Sequence, residues 1–130
     1  MKPPLRIALA DDEVFIRECL RRWIVHWGHR VVAVAADGRE LIAMCRESSP
    51  DLVISDVMMP EVDGLTAAAE ICRERPVPVV FMSALFRSAP PDLPGGVRVL
   101  GCLPKPFQAN DLGRLLQTVV GSPGRERVLV

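Results

Sequence analysis

Residues 51–60 read Asp51-Leu52-Val53-Ile54-Ser55-Asp56-Val57-Met58-Met59-Pro60. Leu52 to Ile54 is short and wholly apolar, the pattern of a strand buried on both faces. The strand ends by presenting a carboxylate, Asp56. A loop from Pro60 to Gly64 follows, and then Leu65, Ala68, Ala69, Ile71 and Cys72 lead along a helix to Arg75. Strand, loop and helix make the repeating half of a parallel-sheet unit, so the fold turns on whether the pattern recurs.

It recurs in both directions. Upstream, Leu5 to Ala10 is an apolar run broken only by Arg6, and it ends in Asp11-Asp12-Glu13. Val14, Ile16, Leu20, Trp23, Ile24 and Trp27 then predict a helix, with Asp11 or Asp12 as its cap and Gly28 as its stop. Arg30 to Ala35 is a β-branched second strand, and Asp37-Gly38 opens a helix that Ser49-Pro50 ends. Downstream, Val77 to Met82 is a fourth strand, with Pro78 near its start where proline is tolerated. Val97 to Leu100 is a short fifth strand, Lys105-Pro106-Phe107 a turn, and Gln108 to Val120 a last helix with Leu112, Leu115, Leu116 and Val119 on one face.

Between the fourth and fifth strands, residues 88–96 hold three prolines and two glycines. Proline inside a helix costs about 3 kcal/mol, so the fourth helix of the series is expected to be short or irregular. Together these elements predict an α/β fold with a doubly wound, five-stranded parallel sheet over residues 1–120. A flexible tail is expected over 121–130.

Composition narrows the function. With 130 residues, 49% apolar and 25% charged, the chain is long enough for one well-buried core. Lys plus Arg and Asp plus Glu both number 16. Without a basic excess there is no footprint for direct nucleic-acid binding. No apolar run is long enough to enter a membrane, and Met1-Lys2-Pro3-Pro4 does not begin a signal peptide, so a cytoplasmic location is expected. Cys19, Cys45, Cys72 and Cys102 form no C-x-x-C pair and read as small hydrophobes. His26 and His29, flanking Gly28, read as structural.

In open parallel sheets the working residues lie beyond the carboxyl ends of the strands. There the first strand presents Asp11 and Asp12, the third Asp56, the fourth Ser83, and the fifth runs into Lys105. Three gathered carboxylates repel one another unless a cation joins them. A hard divalent ion such as Mg2+ suits an all-oxygen set, and Lys105 adds a fixed positive charge. This constellation fits a transferred phosphoryl group, with a carboxylate as nucleophile and Ser83 as hydroxyl donor.

The chain resembles the receiver domain of two-component response regulators. The likeness rests on Ala10-Asp11-Asp12-Glu13, Ser55 to Pro60 with Asp63-Gly64, Met82-Ser83-Ala84, and Leu103 to Phe107, in that order over roughly residues 5–120. It implies a flavodoxin-like sheet of order 2-1-3-4-5. It implies that Asp56 is the phosphoacceptor and that Asp11, Asp12, Asp56 and the backbone carbonyl of Met58 hold Mg2+. Ser83 and Lys105 then stabilise the phosphoryl group, and Pro106 follows a cis peptide. The implied partners are a sensor histidine kinase or histidine phosphotransfer protein and a downstream protein target. The implied role is that of a switch, not of an enzyme.

Two departures concern the output. The position three before the lysine, usually aromatic in receivers, is Cys102, which leaves Phe86 as the nearest aromatic substitute in a switch with Ser83. The proline-rich stretch interrupts the usual fourth helix. A stand-alone regulator is expected. The alternatives are the receiver portion of a larger protein and an interaction module that no longer needs phosphorylation. A haloacid-dehalogenase-like enzyme is excluded because the second Asp it needs two residues after the nucleophile is here Met58.

Overall fold

A strand buried on both faces can satisfy its backbone only by pairing with other strands. The computed structural model, which describes residues 4–84 and 96–121, does this with one five-stranded sheet. Its elements are β1 (Arg6–Ala10), α1 (Val14–His26), β2 (Arg30–Ala35), α2 (Gly38–Ser48), β3 (Leu52–Asp56), α3 (Gly64–Glu74), β4 (Val79–Ser83), β5 (Val99–Pro104) and α4 (Ala109–Gly121). All pairings are parallel and the spatial order is β2-β1-β3-β4-β5, as the resemblance implies. The helix expected to be short or irregular falls mainly on residues 85–95, outside the described residues, as do Phe86 and residues 122–130 of the expected tail, whose first residue, Gly121, instead ends α4.

Alternation along the strands divides the core in two. Ile7, Leu9, Leu52, Ile54, Val80 and Met82 turn to one face, where Leu20 and Ile24 of α1 and Leu112 and Leu116 of α4 cover them. Ala8, Ala10, Val53, Val79 and Phe81 turn to the other, against Leu41 and Cys45 of α2 and Ala67, Ala68, Ile71 and Cys72 of α3. Cys45 and Cys72 are buried, as read from the sequence, and burial pushes the Cys45 thiol up to about 12. His29 accepts a hydrogen bond at Nδ1 from the Leu5 amide at 3.0 Å, so it ties β1 to the turn before β2. None of the described helices is long and apolar enough to cross a membrane.

The structure moves several boundaries: the fourth strand, expected over Val77 to Met82, runs Val79–Ser83, and larger changes fall on the fifth strand and the start of α1. The fifth strand was expected over Val97 to Leu100 but runs Val99–Pro104. Gly101 looks like a breaker in isolation, yet it pairs with Val80, and β4 runs from Val79 opposite Val99 to Ser83 opposite Pro104 with one register shift between Val79 and Val80. Neither Asp11 nor Asp12 caps α1. The N-cap is Glu13, and it makes no side-chain cap bond.

α2 and α3 start differently. Asp37 caps α2 by accepting the Glu40 amide at 2.8 Å, while Glu40 Oε1 accepts the Ala36 amide in return. Asp63 caps α3 by accepting the Thr66 amide at 2.8 Å. In each case a glycine follows the cap. A Cβ on Gly38 would lie 2.0 Å from the Val62 carbonyl oxygen, and one on Gly64 would lie 2.1 Å from that of Asp56. Both helices thus press their first turn against the chain around β3's end. Gly64→Ala is expected to cost about 3 kcal/mol, the upper range for overpacking because the obstacle is backbone. A urea titration should show a lower midpoint with an unchanged slope.

Candidate functional site

The strand order brings the ends of β1, β3, β4 and β5 side by side. Asp11, Asp12 and Asp56 each place a carboxylate oxygen within 4.8 Å of the others. They are not equivalent. Asp11 is fully buried and Asp56 nearly so, whereas Asp12 is exposed. Lys105 reaches across from the turn after β5, with Nζ 2.7 Å from Asp11 Oδ2, 3.4 Å from Asp56 Oδ2 and 4.0 Å from Glu13 Oε1.

Asp11 is bonded at each end of the residue. Its amide donates to the Ala35 carbonyl at 3.1 Å, and its carbonyl accepts from Arg17 Nη1 at 2.8 Å. Oδ1 accepts the Glu13 amide at 2.9 Å, and Oδ2 takes the Lys105 ammonium. Ser83 is buried at the end of β4, and its carbonyl accepts the Lys105 amide at 2.8 Å, which ties the fourth and fifth strand ends together. The Lys105–Pro106 peptide bond is cis. Beyond it, Phe107 meets Trp23 of α1 edge to face, with ring centroids 6.3 Å apart.

The loop after Asp56 is held from both sides. The Val57 amide donates to the Met82 carbonyl at 2.9 Å, and the Val57 carbonyl accepts the Gly64 amide at 2.8 Å. Met58 is 59% exposed, and Glu61 has φ 67°, in the left-handed region. Cys102 lies opposite Phe81 in the sheet, half-buried against the α2/α3 core, where burial raises its thiol pKa.

Charge counting shows what this pocket lacks. Two unit charges 4 Å apart near a protein surface interact by about 4 kcal/mol at an effective dielectric of 20. One ammonium cannot offset the mutual repulsion of three carboxylates. Burial, then the charge of Asp11, hold the Asp56 carboxyl above its ordinary range despite Lys105. For Lys105, burial acts to lower the pKa, but the hydrogen bond it donates to Asp11 and the charges of Asp11 and Asp56 outweigh it and raise the ammonium. Three carboxylates against one ammonium leave two negative charges, the complement of a divalent cation. The donors are all hard oxygens with one exposed member, so the residues fit Mg2+ that retains part of its water shell.

Most of the site is visible in the strand-end residues, but two parts are not. Arg17 reads as the polar face of a helix, although it sits one turn beyond Glu13. Gly38 reads only as a helix opener, and its contact with Val62 follows from tertiary packing.

A family model described as the response regulator receiver domain matches residues 7–117. The transcriptional regulatory protein PdtaR of Mycobacterium tuberculosis is 36% identical over 109 residues, covering 84% of this chain and 53% of that protein. A protein-glutamate methylesterase/protein-glutamine glutaminase of Anaeromyxobacter dehalogenans is 38% identical over 111 residues, covering 85% of this chain and 33% of that one. The chain thus spans about half, or less, of the length of these curated relatives. Among solved structures, the CheX-CheY-BeF3-Mg+2 complex from Borrelia burgdorferi matches with a TM-score of 0.78 at 24% identity, over 89% of each chain, a likeness of fold.

The raised Asp56 carboxyl carries a sign for stability. The native state binds this proton more readily than the unfolded chain, so its ionised form costs stability above the ordinary carboxylate range, and that cost is relieved as pH falls through the native value. Asp56→Asn should therefore stabilise the metal-free protein at neutral pH, seen as a higher melting temperature than wild type. The gap to wild type should shrink at acidic pH, as thermal melts across a pH series will report.

Proposed function

The chain belongs to the response regulator receiver domains, and we propose that it is a phosphoryl-accepting signalling switch with Asp56 as the acceptor. The donor is a phosphohistidine, on a sensor histidine kinase or a histidine phosphotransfer protein. An Asp56 oxygen attacks phosphorus as the nitrogen–phosphorus bond breaks, and the leaving imidazole takes up a proton. The product is an acyl phosphate on Asp56. The outcome is a changed set of protein contacts with a downstream target. On this reading the domain catalyses its own modification but turns over no separate substrate, and it works in the cytoplasm.

The observation that carries this reading is the buried pair of carboxylates bridged by Lys105, at 2.7 Å to Asp11 and 3.4 Å to Asp56, beside the exposed Asp12. We assign Asp11, Asp12, Asp56 and the Met58 carbonyl as the Mg2+ site. When bound there, the ion supplies the missing positive charge for the carboxylates and the incoming phosphoryl oxygens. Lys105 lies between Asp11 and Asp56 and is free to pair with a phosphoryl oxygen once the Asp56 charge is altered. We assign Ser83, buried at the end of β4, as the hydroxyl donor. Ser83, Phe86 and Cys102 remain the candidates for passing the change outward.

A second reading has its own support. The curated relatives are about twice as long as the matched segment or longer, which favours this domain as the receiver portion of a larger response regulator. The sequence over residues 1–120 is the receiver on either reading, with 121–130 as a tail or the start of a linker.

Incubation with acetyl phosphate and Mg2+, followed by intact-mass measurement, should add one phosphoryl group to wild type and none to Asp56→Asn. Labelling that survives the substitution would refute Asp56 as acceptor.

A further inference from the structure

The three helices that follow β1, β2 and β3 begin in two ways. α2 and α3 are capped by Asp37 and Asp63. α1 follows the loop that carries Asp11 and Asp12, and its N-cap residue, Glu13, makes no side-chain cap bond. There is a chemical reason for the difference. A capping carboxylate spends an oxygen on a backbone amide, and an Asp12 used that way has less to offer a cation. The loop then needs another anchor.

Arg17 occupies that place. Its Nη1 donates to the Asp11 carbonyl at 2.8 Å from a half-buried position on α1. Asp11 is fully buried, and a buried carbonyl without a donor costs about 1–3 kcal/mol. The same residue's Oδ1 accepts the Glu13 amide at 2.9 Å. Arg17 therefore holds the main chain at Asp11, and Asp11 in turn holds Glu13, with Asp12 between them. We propose that Arg17 is the positioning residue of the carboxylate site: its guanidinium, in place of a helix cap, fixes the 11–13 loop and leaves the Asp12 carboxylate available for a cation. This extends the functional reading above, and its consequence for Mg2+ rests on that reading.

Two variants test it. Arg17→Met keeps most of the apolar stem and removes the donor, while Arg17→Lys keeps a positive donor without the planar fork. The first readout uses the metal-free protein: hydrogen exchange at the Glu13 amide, which reports the Asp11–Glu13 bond. Exchange there is expected to rise about tenfold or more in Arg17→Met, beyond any change at core amides such as Ile54, with partial recovery in Arg17→Lys. The second readout is the affinity for Mg2+ alone, expected to weaken by about 10-fold in Arg17→Met, the lower range for outer-shell substitutions at metal sites.

Unchanged Glu13 exchange in both variants overturns the inference, whatever the metal does. So does a rise matched at Ile54, since that is general loosening. Should Arg17→Met not fold, the comparison of Arg17→Lys with wild type decides on the same criterion. Selective Glu13 exposure in a protein whose wild type shows no Mg2+ binding upholds the positioning role and removes the functional reading instead. Selective exposure with unchanged Mg2+ affinity overturns the part of the inference that concerns the cation.

Discussion

One buried ion pair organises the carboxyl edge of this sheet. Asp11 has no exposure to water, and a carboxylate in that position is tolerable only if it is paired and its lone pairs are used. Lys105 supplies the pairing charge at 2.7 Å and the Glu13 amide supplies the second bond. Because the two partners are far apart in the chain and at the ends of non-adjacent strands, their contact fixes how β1 and β5 sit relative to one another at this edge. Asp56, between them in the sheet, then falls within 3.4 Å of the same ammonium. The charges remain unbalanced by two, and that imbalance is the chemical character of the pocket: it favours a divalent cation, and after burial it helps hold the Asp56 carboxyl high.

The rest of the fold keeps this imbalance from dispersing. A mobile loop after β3 could relax the repulsion by swinging Asp56 outward. It is instead pinned by Val57 to Met82 on one side and to Gly64 on the other. The close approach of α3 to the Asp56 carbonyl and of α2 to the Val62 carbonyl adds a steric restraint that only glycine permits. Capping aspartates at Asp37 and Asp63 set those helix starts, and the acidic loop before α1, whose N-cap makes no side-chain bond, is held at the Asp11 carbonyl by Arg17.

Legibility in the sequence tracked locality. β3 was readable to within a residue at each end because Leu52 to Ile54 is apolar on both faces and Asp56 marks its end. β5 was not, because Gly101 and Cys102 carry little strand preference and the strand exists through its register with β4. The acids at the strand ends stood out by residue type. Their inequality did not: Asp11 and Asp12 are neighbours of identical chemistry, yet one is buried and bonded to Lys105 while the other is exposed. Both looked equally able to cap α1, and neither does.

What the sequence determined by itself is the set of elements, the two-faced alternation of the core and the residues that carry charge at the carboxyl ends of the strands. Each of these depends on neighbours a few positions away, so a periodicity of two or of 3.6 and a turn signal suffice. The tertiary structure decided which strand ends meet, which carboxylate Lys105 chooses, and that Arg17 turns inward to a carbonyl. These contacts join residues remote in the chain, and their energies depend on burial and distance that no local pattern contains. The residues of β3 name the carboxylate at its end, Asp56, and only the strand's place between β1 and β4 gives that carboxylate its charge environment.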